Sequence, residues 1–203
     1  ENQSQIEDLD PWNIPPNSLS NCKLYIPKGT EKILGDEVVF QIRPRDVTHE
    51  EWCSLLAQDV YGPQGHVLAE TCDALAGADF SIDDMLTYIN TDTNWANIAE
   101  NTRSAVAYKL KDYDRSGLFD PHGIQVEDLL TPGVCNIFML RDLRNEDKAL
   151  ITSLIARKLF TIMGKHHQRR KVDKFFAKNE YTSSLPSHVW LLIDEAHVVA
   201  PRE

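Results

Sequence analysis

Asp194 and Glu195 stand side by side after the apolar run VWLLI, with His197 two positions further on. A strand that ends in two carboxylates can serve a nucleotide. One acid holds a magnesium ion, usually through a water, while its neighbour orients or deprotonates the water that attacks the γ-phosphate. Adjacent residues leaving a strand point in different directions, so the two acids can divide these tasks. His197 is placed to report the γ-phosphate to another part of the machine by hydrogen bonding. The plainer reading of the same letters is a buried strand turning acidic as it reaches solvent, so the elements upstream must decide.

Those elements supply the context. VCNIFML, residues 134–140, is a continuous apolar run suited to a strand covered on both faces. Asn145 is expected to cap the next helix, with Glu146 and Asp147 at its positive end. Ile151, Leu154, Ile155, Leu159 and Ile162 then form an apolar stripe, and the basic stretch Lys165 to Lys171 suits the helix C-terminus. A polar linker, 172–188, leads to a second strand at Val189. Strand, helix, strand in this order predicts a parallel pair with a right-handed crossover, and phosphate ligands sit beyond the carboxyl ends of such strands.

Further upstream, residues 1–20 with Pro11, Pro15 and Pro16 read as an irregular lead-in. CKLYIP, 22–27, and EVVFQIRP, 37–44, read as strands joined by the turn region KGTEKILGD. Thr48 with Glu51 and Ser81 with Asp84 are capping patterns that open helices, and helical spacing continues through NWANIAENTRSAVAYKLKDY. SGLFDPHGIQVEDLLTPG is a Gly- and Pro-punctuated connection with a short helical turn at VEDLL. The expected class is α/β: strands in 1–45, a helical insertion in 46–120 that reads as a packing module without chemistry, and a β-α-β segment in 121–203.

Bulk properties narrow the function classes. At 203 residues the chain can build one sizeable core. Its 42% hydrophobic and 26% charged residues are those of a soluble globular protein, without a stretch of about 20 apolar residues or a secretory leader, so a cytoplasmic setting and no membrane partner are expected. The net charge of −10 argues against a freestanding nucleic-acid binder, whose affinity comes from neutralising phosphates. Cys22, Cys53, Cys72 and Cys135 are scattered without a CxxC pair, which points to reduced thiols and to neither a zinc site nor a disulfide framework.

GIQVEDLLTPGVCNIFMLRDL, the helix EDKALITSLIARKLFTIM, the basic linker and VWLLIDEAHVVAP together resemble the HerA-like ATPases of the HerA/FtsK superfamily. The resemblance covers 117–203 well and extends more loosely to KLYIP, VVFQIRPRDVTHEEW and NTRSAVAYKLKDYDRSGLF. It implies a fragment of a parallel-sheet P-loop NTPase core of the RecA/FtsK type, with Asp194 as the Mg²⁺-associated carboxylate and Glu195 as the catalytic glutamate. It also implies ATP as cofactor, double-stranded DNA as partner, a hexameric ring as the homo-oligomer and a possible nuclease partner.

The letters DEAH are shared with superfamily 2 helicases of the DEAH type, and Thr131 to Gly133, TPG, resembles one of their DNA-contact motifs. Spacing speaks against that assignment: Gly133 lies 61 residues before Asp194 and immediately opens a strand, while VVAP follows His197. From the HerA pattern the chain departs in one large respect. It contains no GxxxxGK[ST]; PKGTEK and IMGKHH lack both the Gly-rich approach and the hydroxyl after Lys. A phosphate loop is therefore expected before residue 1 and the family's arginine finger after Glu203, and these residues alone are expected neither to bind ATP tightly nor to hydrolyse it. A different class, a non-hydrolysing interaction module that keeps only an ATPase scaffold, fits the same omission.

Other candidates read as structural. Arg103 and Arg115 are placed to face a neighbouring subunit's nucleotide but read better as solvated helix charges. His166, His167, Arg169, Arg170 and Lys171 form a basic patch that could touch DNA, and a dipole-complementing helix end explains them as well. Trp52, Trp95 and Trp190 are expected in the core rather than as stacking platforms.

Overall fold

The computed structural model describes residues 21–91, 93, 95, 97–176, 183–194 and 196–199. Three strands form a parallel sheet: β1 (Cys22–Pro27) lies between β2 (Val38–Phe40) and β3 (Cys135–Phe138). Around it stand α1 (His49–Leu55), α2 (Pro63–Ala74), α3 (Ile82–Asn90), α4 (Glu100–Ser116) and the long α5 (Asn145–Phe175), with a four-residue helix α6 (Ala196–Val199). The architecture is α/β, as expected, and its small parallel sheet is compatible with a Rossmann-like core. The lead-in expected over 1–20 lies outside the described residues. No described helix is long and apolar enough to cross a membrane.

The sheet has two unequal faces. Tyr25, Phe40 and Phe138 share one face, with Tyr25 and Phe138 stacked at 4.7 Å between centroids and Phe40 meeting Phe138 edge-on at 5.2 Å. This face joins a continuous apolar cluster that includes Trp52, Val67, Met85 and Leu110 of the helices and Ile151 and Leu154 of α5. On the other face lie Leu24, Ile26, Val39 and Ile137, and there Val39 and Ile137 remain exposed. Parallel sheets normally carry cover on both faces, so the expectation of a fully covered strand at 134–140 is corrected: β3 is shorter and half exposed.

Local chemistry explains the connections. The ten-residue passage from β1 to β2 is held by the buried Glu37, whose carboxylate accepts the backbone N–H groups of Ile33, Leu34 and Gly35, each at 2.7 Å. Gly35 has φ +91°, a conformation that other residues adopt only under strain. Three amide donors stabilise the charged form, chief among them that of Leu34, and lower the Glu37 pKa from 4.5 to about 2. With the folded value depressed, the stabilisation is complete above the ordinary value and is lost as pH falls toward about 2. NMR titration of the Glu37 carboxyl carbon is expected to give that low midpoint, and Glu37→Gln to speed amide exchange at 33–35 at neutral pH. An ordinary carboxyl midpoint would show that the three amides do not hold it.

Both capping patterns open helices as expected. Thr48 and Ser81 each accept the N3 backbone N–H, and Glu51 and Asp84 reach back to the N-cap amides. Glu51 also receives Arg157 of α5 at 2.8 Å, and Arg157 donates to the Asp46 carbonyl at 2.7 Å. Asp46, buried, accepts Arg43 at 2.8 Å on one carboxylate oxygen and Lys158 at 2.5 Å on the other. This network pins α5 to the start of α1. Asp46→Ala strands two cations in a shielded place and is expected to cost roughly 3 kcal/mol, read from the urea midpoint. Adding Lys158→Met should recover part of that loss, and failure to do so would mean that the pair is not coupled.

The long helix corrects two further expectations. Arg144, not Asn145, is its N-cap, and no side chain caps it; the Arg144 guanidinium instead binds the buried Asp147 in two places, at 3.0 and 3.1 Å. The basic stretch does not end the helix, which continues through Lys171 to Phe175, because Lys, Arg and Gln are good helix formers. The stripe is where it was expected: Leu150, Ile151, Leu154 and Ile155 are buried, and Leu159 and Ile162 pack against the cluster.

Candidate functional site

The acidic segment does not occupy a strand among the described residues. Val189 to Ile193 pair with no neighbour among the described residues and are exposed, Trp190 by 87% and Leu192 by 89%. The expectation of a buried strand here, and of Trp190 in the core, is corrected. The run leaves the open edge of β3 unpaired, and the residues that flank it lie against α5 instead. His188 faces His167 at 6.3 Å between ring centroids, and α6 packs on α5. Asp194 is exposed in a turn before α6, and His197 is exposed within α6. Glu195 lies outside the described residues.

The expected site is therefore represented by Asp194 and His197, and neither lines the shallow cavity of about 310 Å³ beside β2, whose walls include Tyr25, Phe40, His122, Ile124 and Asp128. No group of three or more His, Cys, Asp or Glu able to hold a metal occurs among the described residues. The donor type still suits magnesium, which is commonly held by one or two carboxylates together with waters and the phosphates of its nucleotide. Asp194 would be the carboxylate here. Such a site needs no cage built wholly from protein.

Outside the acidic segment the structure sorts the candidates. Arg103 is buried rather than solvated: its Nη1 donates to the Ile89 carbonyl at 3.1 Å, satisfying the last turn of α3 from α4. Arg115 is exposed and approaches Asp112 at 4.0 Å, as a solvated helix charge should. Trp52 and Trp95 are buried, as expected. Lys165, Arg169, Arg170 and Lys171 are exposed on α5, whereas His166 is buried among them. Desolvation first, then the charges of Arg170 and His167, hold the His166 pKa below its ordinary 6.5, so this histidine adds little positive charge to the patch at neutral pH.

Two features escaped the sequence. Glu37 showed no motif, because its role depends on a loop that folds around it. Cys22 and Cys135, read as scattered, are register partners on adjacent strands. No family model, curated protein or solved structure matches the chain.

Proposed function

We propose that these residues form the central part of an ATP-dependent DNA translocase of the HerA type, a P-loop NTPase that couples ATP hydrolysis to movement on double-stranded DNA. One observation carries the reading. A parallel strand, β3, passes through an amphipathic helix, α5, into an apolar run that ends in Asp194 and Glu195, and β3 has no second neighbour among the described residues. A fourth parallel strand made from Val189 to Ile193 at that edge would deliver both acids to the carboxyl side of the sheet, where phosphate ligands bind.

Energetics favour such seating. Fully burying one Val, Leu or Ile side chain contributes about 1.5–3 kcal/mol, and the run offers four of them plus a tryptophan. The exposed Ile137 and Val39 face would gain cover from the accompanying layer. In this proposal the run seats when a phosphate loop and a neighbouring subunit complete the site. There Asp194 would hold the magnesium ion of the nucleotide, Glu195 would orient and deprotonate the attacking water, and His197 would hydrogen-bond toward the γ-phosphate.

The test is magnesium-dependent ATP turnover by the complete parent protein, with and without duplex DNA. The reading expects turnover that rises with DNA. A second reading, an interaction module that keeps only the scaffold, is favoured by the exposure of Trp190 and Leu192. It expects no turnover under either condition, and that result would displace the ATPase.

A further inference from the structure

The amino ends of β1 and β3 bring together two cysteines that are 113 positions apart in the chain. Cys22 and Cys135 are direct register partners, both exposed, and the Cys135 thiol lies near enough to help raise the Cys22 pKa. Register partners on neighbouring strands point to the same face, here the partly open one that also carries Leu24 and Ile137. Neighbouring strands stand about 4.8 Å apart, and a disulfide spans Cα separations of about 4.4–6.8 Å. The remaining two cysteines differ: Cys53 is buried, and burial pushes the Cys72 thiol up to about 12.

We propose that Cys22 and Cys135 form a reversible dithiol modification site, closing to an intramolecular disulfide with a small-molecule disulfide such as oxidised glutathione as the oxidant. This assignment stands apart from the ATPase reading. Geometry already meets the demand for proximity, so the second thiol captures the first adduct faster than solution thiols can. In the first step one cysteine thiolate attacks a sulfur of oxidised glutathione; a protein–glutathione bond forms, the glutathione disulfide breaks, and one glutathione thiolate leaves. In the second step the other cysteine thiolate attacks the modified cysteine's sulfur, the Cys22–Cys135 bond forms, and a second glutathione leaves. The two cysteines are oxidised by two electrons, one oxidised glutathione becomes two reduced molecules, and the two thiol protons end on them.

The location gives the bond a consequence. It joins the central strand to the edge strand that feeds α5, fixing their register at the end opposite the acidic segment's expected outlet. Desolvation, then the neighbouring Cys135 thiol, raises the Cys22 pKa above its ordinary 9.0, so closure quickens as pH climbs through and beyond that value.

The experiment equilibrates the full 203-residue chain with glutathione buffers of rising oxidised fraction, then reads intact mass and a peptide map after acid quenching. The expected result is loss of two hydrogens with one cross-linked peptide holding Cys22 and Cys135, while Cys53 and Cys72 stay reduced. Cys22→Ser and Cys135→Ser, at exposed positions and checked for folding by circular dichroism, should each stop at a glutathione adduct on the remaining partner. Wild-type chain that accumulates adducts on both cysteines, or links only between molecules, overturns the proposal.

Discussion

Glu195→Gln is expected to lower the ATP turnover of the complete protein by roughly 10²–10⁴-fold, the usual worth of a positioned general base, while leaving nucleotide affinity nearly unchanged. Glutamine keeps the length and the hydrogen-bonding shape of the side chain. It cannot take a proton. A change confined to turnover therefore isolates proton transfer from binding, which a truncation to alanine would not. Asp194→Asn divides the effect differently: on the proposed reading it weakens the carboxylate that would hold magnesium, which should raise the nucleotide concentration needed for half-maximal rate as well as slow the reaction. Turnover and nucleotide binding measured separately on the two variants distinguish these outcomes. Wild-type turnover in Glu195→Gln would remove that residue from the chemistry.

The same pair of variants bears on where the acidic segment sits. If Val189 to Ile193 seat beside β3 only in the assembled site, amides of this run should exchange rapidly in the 203-residue chain, where they are exposed and unpaired, and slowly in the nucleotide-bound parent. Slow exchange there, alongside loss of turnover in Glu195→Gln, would join the structural and chemical halves of the proposal. Rapid exchange in the active parent would separate them.

What could be read from the sequence follows the range of the interaction involved. Thr48 with Glu51 and Ser81 with Asp84 lie three residues apart and act on amides within the same turn, so their helices were legible. The α5 stripe was legible for the same reason, since helical spacing fixes which residues share a face. Its end was not: the residues 165–171 look like a terminal basic cluster, yet their high helix propensity carries the helix on to Phe175. Arg103 resembled a surface charge because its carbonyl partner, Ile89, belongs to another helix. The pairing of Cys22 with Cys135 depends on strand register set by distant segments. The run Val189 to Ile193 is the sharpest case: apolarity states that burial would be favourable, while the partner that provides it is a tertiary matter.

Trp52→Ala is expected to destabilise the fold by about 3–5 kcal/mol, a large share of the 5–15 kcal/mol that holds an ordinary domain. Trp52 is wholly buried, stands 4.9 Å from the Phe119 ring, and belongs to the cluster that runs from Phe40 of the sheet through Leu110 of α4 to Ile151 of α5. Removing the indole opens a cavity at the junction of these elements, and the surrounding side chains can close it only in part. Its Nε1 has no hydrogen-bond partner among the described residues. Trp52→Phe therefore removes an unsatisfied donor along with part of the ring, and its loss should be markedly smaller than that of the alanine variant. Urea unfolding followed by far-ultraviolet circular dichroism and by tryptophan fluorescence, in a Trp12→Phe, Trp190→Phe background that leaves Trp95 as the reporter in the Trp52 variants, gives both numbers. Because the apolar cluster is continuous between the sheet and the helices of 46–120, the two signals should move together to a lower midpoint in Trp52→Ala. Fluorescence that shifts while the sheet's amides keep their protection would show instead that the helical segment unfolds as a unit of its own.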